Sequence, residues 1–228
     1  MNSLSSNLSI GTAQLGLNYG SFKKRKKISN KEFKKIIKLC IKKKIFSIDT
    51  AVNYGDSEEK IGKVLSNYKL KFDLTTKIPS LKKTRTEDIN NNIVQILRSS
   101  EKKLKSKINT ILLHDVSDLK SKNKNKIYTS LNNLKKMKIV KNIGFSAYNL
   151  EEVKSILKEF NFDVVQVPFN VFDQRLIDKE FLKVLKKNKT KIYIRSIFLQ
   201  GLLIDYKKKN KITKRYFNNF NKWHKFLK

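Results

Sequence analysis

The sequence is poor in the residues that build disulfide-rich, metal-clustered or linker-like proteins. Of its 228 residues, one is Cys, two are His, two are Pro and seven are Gly. A single cysteine excludes a disulfide framework and a thiolate zinc site, and we expect no metal site. The scarcity of Pro and Gly excludes collagen-like and linker-like chains. Hydrophobic residues make up 39% of the chain, which is enough to build a core.

Long apolar runs and a recognisable leader are also missing. No uninterrupted apolar run approaches the roughly 18 residues that a membrane-spanning helix needs. The first residues, MNSLSSNLSI, have neither a basic leader nor the apolar stretch of a signal peptide. We therefore expect a cytoplasmic protein without membrane contact.

Acidic residues and arginine are scarce beside lysine. Lys and Arg number 52 against 19 Asp and Glu, so the formal net charge is +33. Such a charge permits binding to nucleic acid, yet arginine, the residue favoured for contacts to bases and phosphates, occurs only six times. The lysines are spread along the whole chain. This pattern favours a solvated surface over a specific nucleic-acid interface, and a basic nucleic-acid-associated protein remains a third hypothesis.

Short β-branched or apolar runs alternate with amphipathic stretches of helical period. The predicted strands cover 8–14, 45–50, 72–77, 109–114, 141–146, 162–168 and 191–197. The predicted helices cover 31–42, 57–68, 87–104, 123–138, 149–160 and 176–188, with a further one near the end of the chain. Asp56 and Glu59 are predicted to form a capping box at the start of the helix over 57–68. Sevenfold βα alternation predicts a parallel sheet with helices packed outside it.

Two parallel architectures compete for this pattern, an open doubly wound sheet and a TIM barrel. The first predicted strand runs into GTAQLG, which lacks the spacing of a dinucleotide-binding G-x-G-x-x-G. No composition break or linker divides the chain. We therefore predict an α/β fold of the TIM (β/α)8 type, a single domain over residues 1–228.

Polar residues follow three adjacent predicted strands where each strand ends. Asp49 ends the second strand, with Tyr54 five residues further on; Lys77 ends the third and His114 the fourth. In a parallel barrel these positions converge on one mouth. Any one of them alone would be read as a helix cap, a solvated side chain or a core residue, but four together predict a site.

This set of residues resembles the catalytic tetrad of the aldo-keto reductases. The flanking segments are similar as well: IGTAQLG, DTAVNYGDSEEKIGKVL, IGFSAYN, VVQVPFN and RSIFLQGLL, which together extend the similarity over about residues 8–204. The resemblance implies a reductase that interconverts an aldehyde or ketone and its alcohol by hydride transfer from NADPH, with NADH as the other possible reductant. The implied partner is a small carbonyl substrate.

The four residue types suit this chemistry. Tyr54 would donate the proton that the alkoxide needs, since a phenol with a pKa near 10 is protonated at neutral pH. The Lys77 ammonium would ease release of that proton, and Asp49 would hold the lysine charged and oriented. His114 would orient and polarise the substrate carbonyl. Tyr54 and His114 are therefore also the predicted substrate-binding residues.

The resemblance also implies cofactor contacts. Ser146 and Gln166 occupy the positions that contact the nicotinamide carboxamide, and Asp49 borders them. Ala147 stands where the family often has Asn. Arg195 stands where many members have an aromatic residue that stacks on the nicotinamide. Ser196 and the backbone around Thr12 are the remaining predicted neighbours of the cofactor.

The end of the chain departs from the family pattern. Phe217, Phe220, Trp223 and Leu227 fall on one helical face and predict a seventh outer helix, with no eighth strand after it. We expect an incomplete barrel of about seven βα units, truncated relative to the family, with open edges at the first and seventh strands. The basic segment that holds the cofactor's adenosine phosphate would then be absent. A catalytically silent barrel that serves as a binding or assembly subunit is therefore the alternative function.

Overall fold

In a computed structural model of the protein, residues 7–20, 26–204 and 217–226 are described. Seven parallel strands form one sheet, in which the strand order follows the chain order. The strands are Ser9–Gly11 (β1), Ser47–Asp49 (β2), Asp73–Ile78 (β3), Thr110–Leu113 (β4), Asn142–Ser146 (β5), Val164–Pro168 (β6) and Lys191–Arg195 (β7). The sheet curls into a nearly closed barrel, which confirms the predicted TIM-like α/β class.

Helices lie between the strands and cover the outside of the sheet. They are Ala13–Gly16 (α1), Asn30–Lys42 (α2), Ser57–Leu65 (α3), Ile89–Leu104 (α4), Lys124–Lys136 (α5), Leu150–Glu159 (α6), Lys179–Lys187 (α7) and Phe217–Phe226 (α8). None of the helices in the described ranges is long and apolar enough to cross a lipid bilayer.

Helix α2 illustrates why the helices form where they do. Ser29 and Glu32 make a reciprocal capping box, in which the Ser29 hydroxyl accepts from the Glu32 backbone N–H and the Glu32 carboxylate accepts from the Ser29 N–H at 2.9 Å. Further along, Phe33, Ile37 and Cys40 recur at helical spacing and are buried. Burial of side chains of the Phe and Ile type contributes about 1.5–3 kcal/mol each.

Helix α3 is tied to the sheet by a buried carboxylate. Glu58 is 2% exposed, and its two oxygens accept hydrogen bonds from Thr76 Oγ1 at 2.7 Å and from Ser100 Oγ at 3.2 Å. These bonds satisfy a group whose burial is otherwise unfavourable. Because Thr76 precedes Lys77 in β3 and α3 follows the loop that carries Tyr54, the cluster fixes these two side chains relative to each other.

Two local predictions are wrong. The first predicted strand extends to residue 14, but β1 ends at Gly11 and α1 starts at Ala13. The backbone turns there because the Leu15 N–H donates to the Thr12 carbonyl at 2.9 Å. Asp56 precedes α3 without capping it through its side chain, which instead forms ion pairs with Lys27 and Lys60.

The two outer strands each have one neighbour within the described part of the chain. Strand β1 pairs with β2, and β7 pairs with β6. Ile194 of β7 is consequently 44% exposed. The predicted terminal helix forms as α8, where Trp223 packs against Leu202 and Leu203 in a small cluster apart from the main core. Leu227 lies outside the described residues.

Candidate active site

The mouth of the barrel is built from the carboxyl ends of its parallel strands, and the four predicted catalytic residues lie there. Asp49 is the last residue of β2, Lys77 is the penultimate residue of β3, and His114 directly follows β4. Tyr54 lies in the loop between β2 and α3. Parallel strands bring these positions to one end of the barrel, so the structure brings the four side chains together.

The Asp49 carboxylate joins three strands inside the barrel. Its Oδ2 lies 2.7 Å from Lys77 Nζ on β3, and its Oδ1 accepts from Gln166 Nε2 on β6 at 3.1 Å. Lys77 also donates to the Thr50 carbonyl at 2.8 Å, and its side chain is only 1% exposed. The 2.7 Å contact has the length of a charge-assisted hydrogen bond. Asp49 therefore positions both Lys77 and Gln166.

Tyr54 and His114 meet edge to face beside this ion pair. Their ring centroids are 5.8 Å apart with an interplanar angle of 83°. Lys77 Nζ lies 5.2 Å from the centroid of the Tyr54 ring. His114 Nδ1 is buried and has no hydrogen-bond partner among the described residues. A phenol, an ammonium and an imidazole therefore border one region of the mouth.

The loop that carries Tyr54 is held by close backbone packing and a chain of hydroxyl groups. A Cβ added to Gly16 would lie 1.5 Å from the Tyr54 carbonyl oxygen, so only glycine permits this approach. The Thr50 hydroxyl donates to Ser57 Oγ at 3.1 Å, and Ser57 Oγ donates to the Thr12 carbonyl at 3.2 Å. Sequence reasoning missed Ser57 and Gly16 as positioning residues, although both lie within the motifs IGTAQLG and NYGDSEE.

Burial governs the protonation of Tyr54. Burial and, to a smaller extent, the negative charge of Asp49 raise the pKa of its phenol to about 12, while the positive charge of Arg195 acts in the opposite direction. The phenol is therefore protonated throughout the physiological range. A protonated Tyr54 agrees with its predicted role as proton donor. The expected lowering of its pKa by the Lys77 ammonium is not seen, because burial raises the pKa more strongly.

Burial also lowers the pKa values of the two basic groups. For His114 the main cause is burial, and the positive charges of Lys77 and Arg195 act in the same direction. His114 is therefore neutral at neutral pH and can donate or accept a hydrogen bond. Burial likewise lowers the pKa of Lys77, while the Asp49 carboxylate acts in the opposite direction.

Ser146 and Gln166 lie side by side on β5 and β6 and offer polar groups to a ligand. The two residues are paired in register and are buried, being 6% and 3% exposed. Gln166 Oε1 is buried without a hydrogen-bond partner among the described residues, and no described residue bonds the Ser146 side chain. A buried acceptor without a partner is energetically unfavourable. A primary carboxamide, which both donates and accepts, fits this pair.

The other predicted cofactor neighbours have protein partners. Thr12 Oγ1 donates to the Asp49 carbonyl at 2.9 Å, which places Thr12 below the site as a support for Asp49. Arg195 stacks on Tyr148, with Cζ 3.9 Å from the ring centroid, and its Nη2 donates to the Ala147 carbonyl at 3.1 Å. Ser196 follows it with a positive φ of 60° and lies at the same mouth.

Two aromatic residues at the mouth were not predicted from the sequence. Burial raises the pKa of Tyr19, and Tyr54, Tyr148 and Arg195 also influence it, so Tyr19 lies within electrostatic range of these three residues. Tyr148 is 70% exposed, and Arg195 covers one face of its ring. The sequence around Tyr19 and Tyr148 indicates only an aromatic residue in a loop. Their position at the mouth depends on how the barrel closes, which the local sequence does not determine.

Comparison with known structures supports the fold. A Bacillus halodurans aldo-keto reductase in its holo form aligns with a TM-score of 0.69 at 18% identity, over 90% of this chain and 66% of its own. The glycerol dehydrogenase of Gluconobacter oxydans aligns at 0.66 and 19%, over 92% and 65%. A Pseudomonas aeruginosa protein assigned to the aldo-keto reductases aligns at 0.67 and 20%, over 84% and 73%. No curated protein matches the sequence.

A family model gives the assignment independently of these structures. The model of the aldo/keto reductase family matches residues 7–228. The match includes the segments that carry Asp49, Tyr54, Lys77 and His114, and it confirms the resemblance noted from the sequence. Because it covers nearly the whole chain, the protein belongs to the aldo/keto reductase family, whose members are oxidoreductases of carbonyl compounds and alcohols that use nicotinamide cofactors.

Proposed function

We propose that the protein reduces an aldehyde or ketone to the alcohol, with NADPH as the reductant and Tyr54 as the proton donor. The observation that carries this proposal is the convergence of Asp49, Lys77, Tyr54 and His114 at one mouth, with Lys77 Nζ 5.2 Å from the Tyr54 ring centroid. Packing alone does not require an ion pair, a phenol and an imidazole at the same place.

Tyr54 protonates the substrate oxygen as it gains negative charge. Hydride addition at the carbonyl carbon breaks the C=O π bond and leaves an alkoxide, which takes the proton from Tyr54 Oη; solvent then restores the phenol. An alkoxide is a stronger base than a phenolate, so the transfer is downhill even with a Tyr54 pKa of about 12. Alcohol oxidation would require Tyr54 as the phenolate, and a pKa of about 12 leaves little of that form at neutral pH.

His114 and Lys77 assist this transfer in different ways. Neutral His114 borders the Tyr54 ring and hydrogen-bonds the carbonyl oxygen, which orients the substrate and polarises its carbonyl. Lys77 stabilises the phenolate that forms on Tyr54 through its positive charge. Asp49 holds Lys77 in place through the 2.7 Å contact.

Ser146 and Gln166 are the proposed contacts to the nicotinamide carboxamide. Gln166 Oε1 would accept from the carboxamide NH₂ group, and the Ser146 hydroxyl would donate to its oxygen. Thr12, Asp49, Arg195 and Ser196 are the remaining proposed neighbours of the cofactor. When bound, the cofactor supplies the hydride. The proposed preference for NADPH over NADH rests on the family resemblance alone.

The test is oxidation of NADPH, and separately of NADH, across a panel of aldehydes and ketones. Tyr54→Phe removes one hydroxyl and is expected to lower kcat/KM about 10²–10⁴-fold, while cofactor binding measured by fluorescence is retained. Tyr68→Phe is the matched control, because Tyr68 packs against the core outside the site and its loss of hydroxyl leaves turnover unchanged. Undiminished turnover by Tyr54→Phe would exclude Tyr54 as the acid.

The outcome also distinguishes the reductase from a non-catalytic barrel. Cofactor binding without turnover of any carbonyl compound in the panel would favour the binding or assembly subunit. Binding to DNA that does not depend on DNA sequence and is lost at moderate salt would show that the positive charge supports only nonspecific DNA binding.

A further inference from the structure

Arg195 is held in a fixed orientation at the mouth of the barrel. It ends β7, and one face of its guanidinium stacks on Tyr148 at 3.9 Å. Nη2 donates to the Ala147 carbonyl at 3.1 Å. An aromatic contact and a backbone hydrogen bond together restrict a side chain that otherwise has many rotamers. The guanidinium is therefore preorganised for a ligand.

The Arg195 guanidinium has no carboxylate partner within the described parts of the chain. By contrast, Arg85 pairs with Asp88 and Arg175 pairs with Asp173, each at 2.7 Å. A guanidinium has five N–H donors; the contact to Ala147 takes one, and Nη1 has a long contact of 3.5 Å to Ser196 Oγ. No described residue accepts from the remaining donors, which can bind an external acceptor.

The charge of Arg195 reaches the catalytic groups. It lowers the pKa values of Tyr54 and His114, so it lies within electrostatic range of both. Asp49, the carboxylate that contacts Lys77, is already committed to that lysine and to Gln166. Asp115, the other carboxylate that acts on His114, is paired with Lys82 at 3.6 Å. Among the described residues, the positive charges of Lys77 and Arg195 therefore face the single carboxylate of Asp49, beside the Lys82–Asp115 pair. This local excess of positive charge is independent of the lysines spread over the surface.

We propose that Arg195 is a specificity-determining residue that binds an anionic group, a carboxylate or a phosphate, on the carbonyl substrate. The proposal rests on the proposed reductase function and adds its substrate class. The planar guanidinium matches such groups with two parallel hydrogen bonds. Tyr148, which supports the guanidinium, would form an aromatic wall beside the substrate.

Turnover of matched aldehydes tests the proposal. The wild type is expected to prefer 4-carboxybenzaldehyde over its neutral methyl ester, and Arg195→Gln to lower the acid-to-ester ratio of kcat/KM at least about tenfold. Arg195→Lys keeps the positive charge but loses the planar guanidinium, so its acid-to-ester ratio should lie between those of the wild type and Arg195→Gln. Arg98→Gln, an exposed arginine on α4, is the control that leaves the ratio unchanged. Equal ratios in the wild type and Arg195→Gln would overturn the proposal. The same ratio of kcat/KM for glyceraldehyde 3-phosphate over glyceraldehyde tests whether the anionic group is a phosphate.

Binding of an unreactive anion tests the same site without turnover. Terephthalate, titrated calorimetrically at moderate salt, is expected to bind the wild type and Arg98→Gln at least about tenfold more tightly than Arg195→Gln. If no aldehyde is reduced but this difference is found, the reductase proposal fails and the anion site stands. If Arg195→Gln weakens NADPH binding while terephthalate binding and the acid-to-ester ratio are unchanged, Arg195 serves the cofactor and the proposal is wrong.

Discussion

Lys77 donates to the Asp49 carboxylate at 2.7 Å in the interior of the barrel, with its side chain only 1% exposed. A buried ammonium is stable only beside a counter-charge, because desolvation strongly disfavours an isolated ion. The pair therefore makes the site and the stability of the fold depend on each other. The three strands that Asp49 joins are held in place by the same contacts that orient the reacting groups.

Removing the charge of Asp49 is expected to destabilise the fold. Asp49→Asn keeps the size of the side chain but leaves Lys77 buried without a carboxylate, which lowers the free energy of unfolding by about 3 kcal/mol. Denaturant titration measures this. The double variant Asp49→Asn/Lys77→Met removes both charges and is expected to recover part of the loss. A single variant as stable as the wild type would contradict the role of the pair.

His114 predicts a loss of stability on mild acidification. Burial and the charges of Lys77 and Arg195 lower its pKa in the folded state, while Asp49 and Asp115 act in the opposite direction. Between this lowered pKa and about 6.5, the unfolded chain therefore binds more protons than the folded protein does. Above this pH range His114 does not change the free energy of unfolding, and as the pH falls through the range the free energy of unfolding decreases. Denaturant titrations between about pH 7 and pH 5 measure the slope, which His114→Gln should reduce. An identical slope in the two proteins would refute the shift.

Tyr54 is expected to resist ionisation at alkaline pH. With a pKa of about 12 it remains a phenol at about pH 10, where an exposed tyrosine is half ionised. The tyrosinate absorbance of the cofactor-free wild type should then equal that of Tyr54→Phe at about pH 10 and exceed it only at higher pH. Tyr68→Phe serves as the comparison. A half-titrated difference between wild type and Tyr54→Phe at about pH 10 would show that burial does not control this group.

The close approach of Gly16 to Tyr54 makes Gly16 sensitive to substitution. In Gly16→Ala the new methyl group would lie 1.5 Å from the Tyr54 carbonyl oxygen, so the catalytic loop must move. We expect a loss of about 2–3 kcal/mol in unfolding free energy together with lower kcat. Gly11→Ala is the matched control, because its Cβ would meet nothing within 4 Å, and its stability should change by less than about 0.5 kcal/mol. Equal behaviour of the two variants would disprove the steric argument.

Gln166 is expected to control cofactor affinity. Gln166→Leu removes the unpartnered Oε1 acceptor and should weaken NADPH binding about tenfold, or about 1.4 kcal/mol. Gln95→Leu on the exposed side of α4 is the control for a change of the same residue type. Fluorescence titration gives both affinities. Binding as tight in Gln166→Leu as in the control would remove Gln166 from the cofactor site.

The sequence by itself determined the order of the elements and the positions of the catalytic candidates. Asp49, Lys77 and His114 were located correctly at strand ends because an ionisable residue that breaks an apolar run marks the point where a buried strand meets the mouth. The helices were predicted within a few residues for the same reason, since burial every three or four positions is a local property. The course of the chain after Gly11 was misjudged because a local hydrogen bond from Leu15 to Thr12 turns the backbone where the residue pattern continues the strand. The role of Asp56 was misjudged because its side chain pairs with Lys27 and Lys60 instead of with the helix backbone.

The tertiary structure alone decided which side chains meet. The bond between Gln166 and Asp49 joins residues 117 positions apart, and the stack of Arg195 on Tyr148 joins β7 to the loop after β5. Such pairs depend on the curvature of the sheet and on the order in which its strands neighbour each other. Local hydrophobic period carries no information about these quantities, because closing the barrel brings together groups that no sequence spacing relates.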